Sequence, residues 1–167
     1  MSSSFESVSL STPLKEALQQ VGYTEMTPIQ AEALPILLTG RDVTGQAKTG
    51  SGKTAAFGLG LLNTIDPECP KTQALVLCPT RELADQVATE LRRLSQRMNS
   101  TRVMTVCGGQ PYGDQKLGLK RGCHVVVGTP GRVGSHMRKG HFDARQLNVL
   151  VLDEADRILD MGFIEQV

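Results

Sequence analysis

A glycine-rich segment carries the clearest chemical signal in the chain. It reads Ala47-Lys48-Thr49-Gly50-Ser51-Gly52-Lys53-Thr54. Glycine permits the left-handed backbone that turns successive N–H groups inward, and such groups at the start of a helix form a nest for phosphate oxygens. Lys53 adds a mobile positive charge for the outer phosphates, and the hydroxyl of Thr54 is a suitable ligand for Mg²⁺. The segment therefore predicts a nucleotide site with a phosphate loop over 48–54.

The structural alternative for this segment is a flexible Gly-Ser linker. The usual phosphate-loop pattern opens with Gly, and Ala47 stands in that place here. Ala is small enough to leave the loop open, and the helix-prone run 54–57 follows at once. A linker would not lead directly into a helix, so we interpret the segment as a phosphate loop.

Two carboxylates follow an apolar run near the end of the sequence. Residues 149–152 read Val-Leu-Val-Leu, and Asp153 and Glu154 come next. Ligands of open parallel sheets bind at the carboxyl ends of the strands. Asp153 would hold Mg²⁺, and Glu154 would orient and deprotonate a water that attacks a terminal phosphate. The alternative, an acidic pair that starts the next helix, has equal weight until the phosphate loop is considered.

The elements that must position these groups alternate along the chain. Apolar runs predict strands at 74–78, 102–107, 124–127 and 149–152, with a weaker candidate at 42–46. Amphipathic or capped segments predict helices at 13–21, from 28 onward, and at 53–63, 80–98, 113–120 and 132–139. Apolar strands that alternate with helices indicate an α/β fold, a parallel sheet with helices on both faces. Residues 1–12 are rich in Ser and Thr, and we expect them to be loose.

Composition narrows the class of protein further. The chain has 167 residues and a net charge of +1, which suits one domain and excludes both a strongly basic nucleic-acid tail and an acidic disordered segment. It shows no targeting segment and no apolar run long enough for a membrane span, so we expect a soluble intracellular protein. Cysteine and histidine spacing does not predict a zinc site, and Cys78 and Cys107 fit buried strand thiols in a reducing cytosol.

Further motifs make the chain resemble the DEAD-box RNA helicases. Asp153-Glu154-Ala155-Asp156 spells the box that names this family. Upstream, the sequence carries segments similar to the Q motif, motif Ia, the GG motif and motif Ib, in family order, at 22–30, 79–84, 108–109 and 129–132, with Phe5 as the isolated upstream aromatic. The resemblance implies a RecA-like fold of the P-loop NTPase type.

The resemblance also implies residue roles. Lys53, Asp153 and Glu154 would be catalytic, and Thr54 and Asp153 would hold Mg²⁺. Nucleotide would be bound by the phosphate loop together with Gln30, which would read the adenine edge, and Tyr23, which would pack nearby. The RNA backbone would be contacted by residues at the ends of strands: Thr80, Arg81, Gly109, Thr129 and Arg132.

Several of these roles have a structural alternative. Thr27 and Gln30 have the spacing of a helix capping box, and capping can coexist with adenine contact. Thr80 and Thr129 suit helix capping, and the two arginines suit a solvated surface. The remaining basic residues are expected on solvated helix faces: Arg92, Arg93, Arg97, Lys116, Lys120, Arg121, Arg138 and Lys139.

The family pattern is only partly present. The Ser-Ala-Thr motif, whose strand lies in the sheet of family members between the phosphate-loop strand and the acidic strand, is absent from the sequence, as is a second RecA-like domain. Asp156 normally pairs with that motif. We therefore expect an incomplete, C-terminally truncated N-terminal RecA-like domain over 1–167, with a Q-motif region at 1–40 and a P-loop core at 41–167.

The function implied by the resemblance is the ATP-binding half of an ATP-dependent RNA helicase. ATP and Mg²⁺ would be its cofactors. Its partners would be RNA, ribosomal RNA in the full-length protein, and the second RecA-like domain, with no membrane, a monomeric state, a cytoplasmic location and a role in ribosome biogenesis. An ATP-gated RNA clamp is the alternative, and a DNA strand-exchange ATPase is disfavoured by the Q motif and motif Ib. This chain alone would bind nucleotide and RNA weakly and would not unwind RNA.

Overall fold

The computed structural model describes residues 3–167. It contains a parallel sheet formed by β1 (Ala74–Leu77), β2 (Val103–Val106), β3 (Val125–Gly128) and β4 (Val149–Leu152) in the order β2-β3-β1-β4. All residues of the two inner strands, β1 and β3, are buried, which accounts for their uninterrupted apolar sequences. The parallel register brings the carboxyl ends of all four strands to one edge, where the motif residues follow.

Among the described residues, six helices fall close to predicted segments, and the last one follows the acidic pair, where the structural alternative places a helix start. In chain order they are α1 (Thr12–Val21), α2 (Pro28–Leu37), α3 (Lys53–Leu62), α4 (Arg81–Leu94), α5 (Tyr112–Arg121), α6 (Pro130–Arg138) and α7 (Ala155–Asp160). Pro near the first position and Gly22 in the left-handed region after α1 give that helix clear boundaries. Helix α4 ends four residues before the predicted boundary at 98.

The chain forms two compact units. One contains the residues up to Ile65 together with Glu90–Asn99, and the other contains Asp66–Thr89 with Ser100–Val167. In the first unit α2 packs against α3, and its core is made of fully buried leucines: Leu14, Leu18, Leu34, Leu59, Leu61 and Leu62. In the second unit the sheet packs its apolar side chains with those of the helices: Leu75, Leu77, Val106, Leu119, Val126, Val133 and Ile158. The predicted division into 1–40 and 41–167 stays a prediction.

Two local predictions are wrong. Residues 42–46 form no strand; they are exposed coil, because a short segment without a hydrogen-bonded neighbouring strand has no ladder to hold it. Residues 3–12 are not loose, since Phe5, Val8 and Leu10 are each at least 93% buried and a 3-10 helix covers Phe5–Ser7. Met1 and Ser2, which the same prediction included, lie outside the described residues.

The structure also bears on the predictions for the cysteines and for membrane-spanning segments. Cys78 and Cys107 are buried at the ends of β1 and β2, as predicted. Cys123 is also buried, and Cys69 is partly exposed. Within residues 3–167, no helix is long and apolar enough to cross a membrane.

Candidate functional site

The phosphate loop has the backbone that the sequence predicts. Gly50 and Gly52 both take positive φ, at 78° and 92°, and α3 begins immediately afterwards at Lys53. The ammonium of Lys53 donates to the carbonyl oxygen of Ala47 at 2.6 Å, which closes the loop on itself. Alternating left-handed residues before a helix turn the backbone N–H groups into an anion nest. The loop is therefore preformed around its own lysine.

Gln30 joins the first turn of α2 to this loop. Its side-chain oxygen accepts from the N–H of Thr27 at 2.9 Å, and its side-chain nitrogen donates to the carbonyl oxygen of Gly52 at 3.1 Å. Gln30 is buried, so both bonds are protected from water. The capping role predicted for Gln30 is confirmed, and the same amide also holds the phosphate loop.

Gly52 is required by space as well as by conformation. A Cβ at this position would lie 2.5 Å from the side-chain nitrogen of Gln30 and 2.8 Å from the hydroxyl of Thr27. At Gly50, which has a similar φ, a Cβ would meet nothing within 4 Å. Of the two glycines, therefore, only Gly52 lies close to α2.

One hydroxyl in the loop is buried without a partner. Among the described residues, the hydroxyl of Ser51 makes no hydrogen bond. An unsatisfied buried hydroxyl costs about 1–3 kcal/mol, and a ligand that accepts its proton removes that cost. The oxygen-rich phosphates of a nucleotide supply such acceptors, so the residues present fit that ligand.

Tyr23 lies in a polar cluster with the end of α4. Its hydroxyl donates to a carboxylate oxygen of Glu90 at 2.8 Å, and the guanidinium carbon of Arg93 lies 5.3 Å from its ring centre. Burial, followed by the Glu90 hydrogen bond, raises the pKa of Tyr23. None of the described hydrogen bonds joins Tyr23 to Gln30.

The acidic residues lie where β4 ends. Asp153 is buried, its N–H donates to the carbonyl oxygen of Leu77 at 2.9 Å, and its carboxylate accepts from the N–H of Glu154 at 3.1 Å. Burial raises the pKa of the neighbouring Cys78, and the Asp153 carboxylate raises it further. An uncharged Cys78 leaves the negative charge of this strand end on the carboxylates.

Glu154 takes an uncommon backbone conformation. Its φ and ψ are 50° and 54°, in the left-handed region that non-glycine residues rarely adopt and that often marks functional positions. It precedes α7 but makes no side-chain cap. Instead, its carboxylate accepts from the guanidinium of Arg157 at 2.8 Å. The predicted alternative, helix initiation, holds for the backbone of Glu154 and not for its side chain.

Three of the predicted RNA residues, Arg81, Gly109 and Arg132, lie around the turn after β2. A Cβ on Gly109 would lie 3.1 Å from a guanidinium nitrogen of Arg81, and Arg132 donates to the carbonyl oxygen of Gln110 at 3.1 Å. Thr80 accepts from the N–H of Leu83 at 3.3 Å, which confirms the capping alternative for that residue. The structure thus brings two cationic forks to adjacent residues of one turn.

Comparison with known proteins agrees with these motifs. The family model described as "DEAD/DEAH box helicase" matches residues 27–167. The chain belongs to the DEAD/DEAH box helicase family. It is 59% identical to the ATP-dependent RNA helicase DbpA of Escherichia coli (strain K12) over 150 residues, 90% of this chain and 33% of that protein. It is 53% identical to the ATP-dependent RNA helicase DeaD of Klebsiella pneumoniae, over 98% of this chain and 25% of that protein.

A solved structure of a DEAD box protein shows the same fold. A DEAD box protein from the hyperthermophile Methanococcus jannaschii superposes with a TM-score of 0.90 at 36% identity, over 98% of this chain and 44% of that one. The RecA-like α/β fold predicted from the family motifs is thereby confirmed. The chain spans about a quarter to a third of the length of the curated helicases that it matches.

The helicase motifs did not reveal every residue that supports the site. Buried Gln115 donates to the carbonyl oxygen of Cys107 at 2.8 Å and accepts from Arg132 at 3.0 Å, so it positions a motif arginine. No pattern in the sequence distinguishes Gln115 from a surface glutamine. Arg157 could have been found, because it stands one helical turn after Glu154 and carries the opposite charge.

Proposed function

We propose that this chain is the ATP-binding half of an ATP-dependent RNA helicase, in which RNA-stimulated ATP hydrolysis drives local unwinding of RNA duplexes. The observation that carries the proposal is the pair of hydrogen bonds that tie Gln30 to Thr27 and to Gly52. They join a base-reading amide to a phosphate loop, which is the combination that a purine nucleotide requires.

Gln30 supplies the selection of the base. With its oxygen on the Thr27 N–H and its nitrogen on the Gly52 carbonyl, the amide retains one acceptor position and one donor hydrogen. Adenine presents a donor and an acceptor side by side at N6 and N7, which is the complement of a glutamine amide. Tyr23 contributes to this half of the site by packing.

The phosphate loop supplies the binding of the phosphates. The backbone N–H groups over 48–54 are the proposed donors to the phosphate oxygens, and the Ser51 hydroxyl gains the partner that it lacks. Lys53 leaves the Ala47 carbonyl to neutralise the outer phosphates. Mg²⁺, when bound, supplies charge neutralisation on the phosphate oxygens; Thr54 and Asp153 are its proposed protein ligands.

Glu154 is the proposed general base for the attacking water. Arg157 holds one of its carboxylate oxygens and leaves the other available to accept a proton. With Lys53 and Asp153 it forms the proposed catalytic set. The names of the relatives favour this enzymatic function over an ATP-gated clamp.

RNA is the proposed macromolecular partner, bound through its backbone. Arg81 and Arg132 provide guanidinium forks, Gly109 allows close approach, and the N-termini of α4 and α6 follow Thr80 and Thr129. The proposal also includes ribosomal RNA as the target and a second RecA-like domain of the same protein as a partner. It further includes a monomeric state and a cytoplasmic role in ribosome biogenesis.

Thermal unfolding with and without Mg·ADP tests the nucleotide site in this chain. At about 100 times the dissociation constant, binding adds about 2.7 kcal/mol, which raises the melting temperature by about 5–10 °C for a chain of this size. Lys53→Ala should abolish the increase, whereas Lys71→Ala, an exposed lysine outside the loop, should retain it. A cooperative transition that Mg·ADP does not move would contradict the proposed site.

A further inference from the structure

Helix α5 and the segment after α6 form a basic surface that the helicase motifs do not include. Lys116 and Lys120 lie one and two turns beyond Tyr112 on the same face of α5. The ammonium of Lys139 lies 4.8 Å from the centre of the Tyr112 ring, and the His141 ring lies 5.7 Å from it. We call Lys116, Lys120 and Lys139 the basic patch, and His141 lies beside it.

Buried hydrogen bonds fix the position of this patch. His136, which is fully buried, stacks on Tyr112 with ring centres 4.1 Å apart. Because the Gln115 nitrogen donates to the Cys107 carbonyl, the Gln115 oxygen faces His136, whose Nε2 must then carry the proton across 3.0 Å. The Nδ1 of His136 consequently accepts from the Nδ1–H of His141 at 2.7 Å, which directs the other nitrogen of His141 away from the protein interior.

The charges of the patch are not compensated by acidic side chains. Among the described residues, no carboxylate lies within 4.0 Å of the ammonium groups of Lys116, Lys120 and Lys139. Asp143 is bound by Arg145 at 2.8 Å, and Asp114 lies on the other side of α5 from Lys116 by helical spacing. Partial burial and the three lysines lower the pKa of His141, so this imidazole lies beside the lysines without adding a charge at neutral pH.

The patch is continuous with a proposed RNA contact. The guanidinium carbon of Arg132 lies 5.2 Å from the Tyr112 ring centre, so the ring has Arg132 and Lys139 as cationic neighbours. Arg132 is also bonded to Gln115, the residue that orients His136. A polyanion bound at Arg132 therefore meets uncompensated positive charge next to it.

We propose that the basic patch binds the phosphodiester backbone of RNA beyond the contacts of Arg81 and Arg132. The proposal rests on the proposed function, since it extends the same RNA track. Its recognition is electrostatic: lysine ammonium groups pair with phosphates one by one and read no sequence. This differs from the solvated helix faces expected for Lys116, Lys120 and Lys139 from the sequence.

RNA binding by charge-matched variants tests the patch. Fluorescence anisotropy of an oligouridylate of about 12 nucleotides, starting at about 50 mM salt, should show about tenfold weaker binding for Lys116→Gln/Lys120→Gln/Lys139→Gln. The slope of log affinity against log salt should fall by about 2, since each lost phosphate contact to a single strand removes about 0.7. The control, Arg41→Gln/Lys71→Gln/Arg97→Gln, loses the same charge at exposed positions and should change affinity by about twofold or less.

The remaining outcomes separate the patch from the proposed function. If Arg81→Gln and Arg132→Gln weaken binding but the patch variant behaves like the control, the RNA track stands and the patch proposal is overturned. If the unmodified chain binds no RNA even at low salt, both are overturned. If an oligoglutamate of equal charge displaces the RNA from the patch and binds as tightly, the patch serves an acidic polypeptide and the RNA assignment is overturned.

Discussion

The Gln30 amide is oriented by the protein before any base arrives. Exchanging its oxygen and nitrogen would set two donors against each other at Thr27 and two acceptors at Gly52. A locked amide can discriminate between purines, because guanine presents an acceptor at O6 where adenine presents a donor at N6. In the proposed function, base selection would therefore depend on a residue that also caps a helix.

We predict that Mg·GDP raises the melting temperature of this chain less than Mg·ADP at equal concentration. The reason is the repulsion between guanine O6 and the fixed Gln30 oxygen, and the difference should correspond to at least about tenfold in affinity. Thermal unfolding with both nucleotides measures it. Equal stabilisation by the two would show that the Gln30 amide does not face the base.

We predict that stability falls as pH falls below about 6.5, partly because of His136. Burial, then His141, Arg132 and Lys139, lower the pKa of His136 to about 4. Between that value and its ordinary value the unfolded chain binds a proton that the folded chain does not, so stability rises with pH. The expected loss between about pH 7 and pH 5 is about 2 kcal/mol from this residue.

Denaturant unfolding of His136→Gln across this pH range measures that contribution. The variant keeps a side chain that can hydrogen-bond and loses the titration, so its stability should depend less steeply on pH. His124, whose pKa burial also lowers, contributes in the same direction and should leave a residual slope. An unchanged slope in His136→Gln would contradict the prediction.

At the scale of elements, the link between α2 and the phosphate loop predicts a difference between two glycines. Gly50→Ala and Gly52→Ala share the cost of a positive φ, about 1–2 kcal/mol. Only Gly52→Ala adds a collision with Gln30 and Thr27. We expect it to be less stable than Gly50→Ala by about 1–3 kcal/mol and to lose more of the Mg·ADP response.

Chemical denaturation of the two glycine variants, each with and without Mg·ADP, checks this difference. The shared backbone cost cancels in the comparison, so the contact with α2 is measured directly. Two variants of equal stability and equal nucleotide response would mean that Gln30 moves aside without cost, and the proposed link would carry no function.

Some elements of the fold were predictable from the sequence, and others were not. Strands β1 and β3 and the capped helices were predictable, because apolar runs and caps act locally. The phosphate loop was predictable from its glycines and Lys53. The coil at 42–46 was not, because a strand depends on a neighbour that its own residues do not specify. Burial of Phe5 and the role of Gln115 depend on tertiary packing, which single-sequence patterns do not record.

At the scale of the whole molecule, β4 is an exposed edge of the described sheet. It pairs with β1 on one side, and Leu150 and Leu152 are 55% and 41% exposed. An apolar edge strand is a template for pairing with another chain. We predict concentration-dependent self-association that Leu150→Lys reduces.

Sedimentation velocity over a range of concentrations measures this association. Leu117→Lys is the matched control, because Leu117 is 54% exposed on a helix that has no open backbone edge. Association that both substitutions reduce equally would indicate general hydrophobicity and would contradict the role of the strand edge.

The buried thiols make it possible to detect opening of the structure by chemical labelling. Burial raises the pKa of Cys78, Cys107 and Cys123, and Cys69 is partly exposed. Since the thiolate is the reactive species, a thiol reagent at neutral pH should label Cys69 first and the other three only when the strands next to them open. Mass spectrometry would then count the adducts on the labelled chain. A label on Cys69 alone would indicate local fluctuation, and labels on the buried thiols would indicate opening of the sheet.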